Sequence, residues 1–303
     1  MFDYNKIITA FRNICQEAGL DLSKIEKKMG DVGLGKVDTP FVLAPSTVKI
    51  LFRQEIQDQS KADELSKKFN DVFEMELSNS YKEKYIAWID ILGFQKAVQN
   101  EKGVEYLLKY TDIFSVINQH KNEHESIWLK LLEEGSQYQF NIFFINDGII
   151  LIADEIAKEA LFDEINNILC KGYLDNVFMR GAIIKGKVFI YDNVAYGNGI
   201  IDAYNMEKAA RYPRVVIDKA IQSECHYSKK DNDDLIYFDY FSNTCGFARG
   251  IFGEDINSFI KKKKQYFELM ISDKSQAPDI REKYTYLNKK LDDLAKAQTK
   301  GKQ

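Results

Sequence analysis

The chain is 303 residues long, 45% hydrophobic and 29% charged, enough for one large or two modest domains with a proper core. A net charge of −4 argues against a surface built to coat nucleic acid. No stretch reaches the run of about 20 apolar residues that crosses a bilayer, and the opening MFDYNKIITAFRNICQ, with charges among its apolar positions, lacks the layout of a secretory signal.

Residues 1–83 read as mostly helical. Asp3 stands where it can cap a first helix carrying Ile7, Ile8, Phe11 and Ile14 at helical spacing. A loop rich in Gly, Asp and Pro follows (30–45), and a second amphipathic helix starts near Ser60 with Leu65, Phe69, Val72 and Phe73 on one side. Both stripes fit a core or a dimer contact. The character then changes. Residues 85–91 are an apolar run typical of a buried strand. Residues 96–120 predict a helix, with Val98, Val104, Leu107, Leu108 and Ile113 toward the core. Residues 140–145 and 149–153 are β-rich runs around Asn146-Asp147-Gly148, a hairpin signal suited to a type I′ turn. A helix over 155–170, a β-rich stretch over 177–190 broken near Gly186, a helix over 200–211 and a strand over 213–217 complete the pattern. The order β-α-β-β-α-β predicts an α+β fold, a ferredoxin-like βαββαβ palm with helical N- and C-terminal extensions. Its regions are 1–83, 84–218 and 219–303. In the last, 229–234 reads as a loop, 237–240 as a short strand, and 256–270 and 279–297 as helices. The lysines at 261–264 read as a solvated helix face.

Three features carry chemistry, and four cysteines do not. Cys15, Cys170, Cys225 and Cys245 stand far apart without a CxxC pair, which predicts free thiols in a reducing cytoplasm and no structural zinc. Nothing nearby completes a metal site around Cys225-His226. Asp90 closes a buried strand before the Gly93 turn, and Asp147 sits at the hairpin tip. Read alone, the first is a helix cap and the second a turn residue. In a βαββ palm, however, the hairpin lies beside the first strand and the two carboxylates converge. Paired carboxylates suit two Mg²⁺ or Mn²⁺ ions whose other positions are filled by phosphate oxygens. The third feature is Arg180-Gly181-Ala182-Ile183-Ile184-Lys185-Gly186, followed by Tyr196-Gly197-Asn198-Gly199 and a helix, an entry suited to an anion.

Together these residues resemble the class III nucleotidyl (adenylate and guanylate) cyclases. Asp90 and Asp147 match that family's metal aspartates. Ile91 matches its backbone-carbonyl ligand, Gly93-Phe94 its nucleotide-binding turn, 180–186 its Arg-x-Gly strand with the first glycine shifted, and 196–207 its following helix. Asp-Ile-Leu-Gly-Phe, Arg-Gly-Ala-Ile, Ala203-Tyr204 to Glu207, Tyr212-Pro213-Arg214 and Lys283-Tyr284-Thr285-Tyr286-Leu287 are most similar to the bacterial anti-phage pyrimidine cyclases. The resemblance covers 84–218 clearly, 280–290 faintly and 1–83 not at all. It implies a cytoplasmic enzyme that converts a nucleoside triphosphate, UTP or CTP, to a 3′,5′-cyclic nucleotide and pyrophosphate with two Mg²⁺ or Mn²⁺ ions. It further implies a head-to-tail homodimer and a separate effector that reads the product in antiviral defence, with no nucleic-acid or membrane partner. Arg180 is the catalytic candidate, and Gly93, Phe94, Asn141 and Gly197 the nucleotide-binding ones. Two departures matter. Ile201 stands at the place of the family's transition-state asparagine, and Asn205 at that of its arginine. Either Arg180, Lys185, Arg211 or Arg214 supplies the missing charge, or the domain is a weakened nucleotide sensor or scaffold. Asn141 holds the place of the adenine-selective lysine, and its amide can meet a pyrimidine edge with both a donor and an acceptor.

Overall fold

The computed structural model describes residues 3–31, 36–37, 42–99, 104, 108–109, 111–113, 115, 140–191, 194–253 and 255–300. The chain divides into two compact units, one of Met1–Lys82 with Val188–Gly197, the other of Glu83–Lys187 with Asn198–Gln303. Among the described residues, no helix is long and apolar enough to cross a membrane.

In the first unit four helices surround an aromatic core: α1 (Tyr4–Glu17), α2 (Leu22–Asp31), α3 (Pro45–Glu55) and α4 (Gln59–Ser80). Asp3 caps α1 as its position predicts, its carboxylate accepting from the Asn5 amide at 3.0 Å. Asp58 caps α4 in the same way. Phe11 stacks on Phe52 and meets Phe69 edge-on, with centroids 5.9 and 6.1 Å apart. The sequence pattern does not single out α2 and α3, because each buries only two or three side chains, Ile25 and Met29 in one and Val48, Leu51 and Phe52 in the other.

The second unit is built on a sheet of order β2-β3-β1-β4-β6-β8-β7, while β5 (Val194–Tyr196) pairs with the end of β4 inside the first unit. The strands are β1 (Lys82–Ile91), β2 (Phe140–Ile145), β3 (Gly148–Ala153), β4 (Met179–Tyr191), β6 (Val215–Ile217), β7 (Ser228–Lys230) and β8 (Ile236–Phe238). With α5 (Phe94–Gln99) after β1 and α6 (Lys158–Leu174) between β3 and β4, the first four strands follow the βαββαβ order expected of an α+β palm. A crossover through α7 (Asn198–Glu207) then makes β6 parallel to β4. Three further helices follow, α8 (Phe241–Phe252), α9 (Ile256–Ser272) and α10 (Pro278–Lys300).

Alternation along each strand sorts the two faces. Tyr85, Ala87, Ile89 and Ile91 of β1 and Ile149, Leu151 and Ala153 of β3 join one core with α6, α8, α9 and α10. Tyr173 is the hub of that core, its ring 5.7 to 6.4 Å from those of Phe178, Tyr240, Phe241, Phe259 and Phe267. The opposite face carries Trp88, Asp90 and Arg180, and α7 lies along it, with Tyr204 edge-on to Trp88 at 5.2 Å.

Several local expectations are corrected. β4 runs through Gly186 without a break. The glycine is needed there for contact, since a Cβ would stand 2.7 Å from the Gly199 Cα of α7. The hairpin loop is Asn146-Asp147, and only Asn146 has a positive φ, 57°, so the turn is not type I′. Gly148 opens β3 instead, where a Cβ would come 3.2 Å from the Ile145 carbonyl oxygen. Val104 and Leu108 face solvent while Ile113 is buried. The side chain of Val98 and all of Leu107 lie outside the described residues. Lys263 is buried within the lysine run, its Nζ donating to the Leu174 carbonyl at 3.0 Å and to Asn176 Oδ1 at 2.7 Å. It thereby satisfies the carbonyl end of α6.

Candidate active site

The site lies at one end of the sheet and grows from the register of three strands. β1 pairs antiparallel with β3 so that Asp90 stands opposite Gly148, the residue after Asp147. The Ile91 amide donates to the Asp147 carbonyl at 3.1 Å, tying the hairpin tip to the end of β1. Both aspartates are half-buried. Burial, and after it the negative charge of Asp147, pushes the Asp90 carboxyl above its ordinary value, while Arg180 and Lys283 oppose the shift.

Arg180 reaches this pair from β4. Its Nε donates to Asp90 Oδ2 at 3.3 Å and forms an ion pair with Glu207 Oε1 at the end of α7. Burial raises the Glu207 carboxyl, with Arg180 opposing it. The structure therefore brings Asp90, Asp147 and Arg180 together, as the strand order leads one to expect, and adds Glu207. Two further sequence candidates lie on β2 and on the turn after β1. Gly93, with φ 83°, makes the turn after β1, and Phe94 opens α5 against the core. Asn141 occupies the same sheet face as Asp90, because its neighbours Phe140 and Ile142 pack on the opposite core. Its Oδ1 is buried with no hydrogen-bond partner among the described residues. Gly197, with φ 154°, falls in the first unit.

The other cations considered for the missing charge pair with carboxylates outside this group. Lys185 pairs with Glu155 at 2.7 Å beside Tyr85. Arg211 grips both oxygens of Glu282 at 2.8 and 2.9 Å. Arg214 is 1% exposed and bound by Asp231 and Asp233.

No family model matches the chain, and no curated protein matches it by sequence. Among solved structures it is similar to a bacterial light-regulated adenylyl cyclase. One such chain is 14% identical with a TM-score of 0.34, the match covering 55% of this chain and 56% of that one. Another is 13% identical with a TM-score of 0.35, covering 64% of this chain and 70% of that one. The chain thus spans little more than half the length of the first.

Hard divalent cations fit the donor set. Burial, and after it the nearby Asp147 carboxylate, raises the Asp90 carboxyl, and a bound cation offsets both effects. Among the described residues, no three His, Cys, Asp or Glu side chains form a closed metal cluster. Ions held by Asp90, Asp147 and the Ile91 carbonyl would keep most of their positions for phosphate oxygens and water.

Proposed function

We propose that the protein is a nucleotidyl cyclase that closes a nucleoside triphosphate to a 3′,5′-cyclic nucleotide with release of pyrophosphate. The observation that carries this reading is the meeting of two carboxylates from separate strands with an arginine 3.3 Å from one of them. The 3′-oxygen forms a bond to the α-phosphorus, the bond from that phosphorus to the bridging oxygen breaks, and its electron pair leaves with pyrophosphate. The hydroxyl proton passes to solvent. Two Mg²⁺ or Mn²⁺ ions, when bound, would acidify that hydroxyl and neutralise the triphosphate. Asp90 and Asp147 orient the phosphates through those positions, and Arg180 faces the charge that develops on the phosphate under attack.

Finer points of the reading rest on particular residues. Asn141 offers a polar amide with an unused oxygen on the site's face of the sheet, which supports a pyrimidine, UTP or CTP, as the substrate. Ile201 and Tyr204 on α7 and Phe144 and Ile145 at the hairpin are exposed. A second copy of the chain, seated head to tail, would cover such apolar surface. Use of the product as an antiviral signal for a separate effector rests on the family resemblance.

A nucleotide sensor is the second reading, and one observation favours it: Ile201 and Asn205 are exposed where the family carries its asparagine and arginine. The deciding experiment incubates the protein with each of the four ribonucleoside triphosphates and Mn²⁺ and identifies products by mass. A cyclic product from UTP or CTP, lost in both Asp90→Asn and Asp147→Asn, is the expected result. Tight nucleotide binding with no product from any of the four would establish the sensor instead.

A further inference from the structure

A cavity of about 540 Å³ opens beside the turn that follows Asp90. Leu92 and Gly93 line it, Phe178 lines it just before β4, and the helices α9 and α10 close it with Tyr266, Tyr284 and Lys283. Lys283 contacts Asp279, one turn earlier on α10 and also on the cavity wall, at 3.5 Å; that carboxylate is 67% exposed, so solvent screens the pair. Lys109 lines the same cavity. Apolar walls lower the local dielectric and strengthen what a cation does to an anion there.

The charge needs of the site point the same way. Arg180 already faces Asp90 and is matched by Glu207, Arg214 is buried between Asp231 and Asp233, and among the described residues neither Lys185 nor Arg211 lines the cavity. A polyphosphate beside Asp90 and Asp147 therefore calls for a cation from outside the palm strands. We propose that this cavity receives the polyphosphate end of the nucleotide, and then the departing pyrophosphate, with Lys283 as its anchor. The inference deepens the cyclase reading and rests on it for the identity of the ligand. Asn141 and Lys283 would then hold opposite ends of one molecule, the base along β2 and the phosphates past the β1 turn.

The test compares wild type, Lys283→Gln and Lys283→Arg in calorimetric titrations with Mn²⁺ and three probes: UMP, α,β-methylene UTP and inorganic triphosphate. Lys283→Gln should weaken the two triphosphates about tenfold, the loss expected for one charge-assisted contact, and shift UMP by less than about twofold. Lys283→Arg should restore most of the loss. Equal weakening of all three probes, or none, overturns the proposal. Failure of the cyclase reading looks different: wild type would give no cyclic product from any nucleotide, yet inorganic triphosphate would still bind in a Lys283-dependent way. Normal cyclisation and normal triphosphate binding by Lys283→Gln would remove the anchor and leave the cyclase standing.

Discussion

Arg180 serves two carboxylates at once, Asp90 on a strand and Glu207 on a helix, and this sharing sets its chemistry. A guanidinium fixed from two sides is pre-organised, so little reorganisation is needed when charge builds on a nearby phosphate. Replacing Arg180 with Ala should lower kcat by about 100-fold while nucleotide affinity stays within about threefold, because the contact strengthens in the transition state. Turnover and equilibrium binding measured on the same preparation check this, and equal losses in both would assign Arg180 to ground-state binding. Asp90, Asp147 and Arg180 could be found from sequence because each sits at a strand end beside a glycine turn or within a glycine-flanked run. Glu207 and Lys283 stand in segments that carry the resemblance, but nothing in their own surroundings assigns them a role. Glu207 is an acid at the end of a helix whose burial depends on a strand distant in sequence, and Lys283 lies in a helix of ordinary charged composition.

At the scale of elements, the close approach of β1 and β4 is what lets Arg180 reach Asp90. Gly181 makes it possible: a Cβ there would fall 2.3 Å from the Trp88 carbonyl oxygen and 3.1 Å from the Ile89 Cα, both backbone atoms of β1 that cannot swing aside. Gly181→Ala should therefore destabilise the protein by about 2–3 kcal/mol, as overpacking does, and lower activity through a displaced Arg180. Urea denaturation and a cyclisation assay read the two effects, and an unchanged midpoint would show that the strands can separate at no cost. The same alternation of faces explains what the sequence could disclose. β1, β2, β3 and α6 were legible because their apolar periods are strong. The continuity of β4 was not, since a glycine inside a strand reads as a bulge unless its helical neighbour, Gly199, is known. Lys263 was misread for a related reason: its partners are the carbonyls that end α6, almost ninety residues upstream.

Across the whole second unit, two short sequence features that looked separate turn out to be one lock. Tyr212 stacks on Tyr286 at 4.6 Å with planes 2° apart, and Arg214 lies near both rings. Arg214 binds Asp231, which also accepts from the Tyr286 hydroxyl at 2.7 Å and from Lys290 at 2.9 Å. The network fixes α10, and with it Lys283, against the palm. Removing one member of a buried ion pair is costly, but Lys290 and Tyr286 would still satisfy Asp231. Arg214→Ala should thus cost about 3 kcal/mol, the low end for such pairs, and should speed hydrogen exchange along α10 more than along β1. Uniform acceleration would mean that the lock stabilises the palm as a whole. The chain's two units have a different relation to time. Phe189 and Tyr191, from the end of β4, belong to the core of the N-terminal helices. During synthesis those helices emerge before the palm strands, then wait roughly 5–20 s while these are added at about 5–20 residues per second. Only then can Phe189 and Tyr191 fill the space reserved for them, so helices made before the palm are finished only after it.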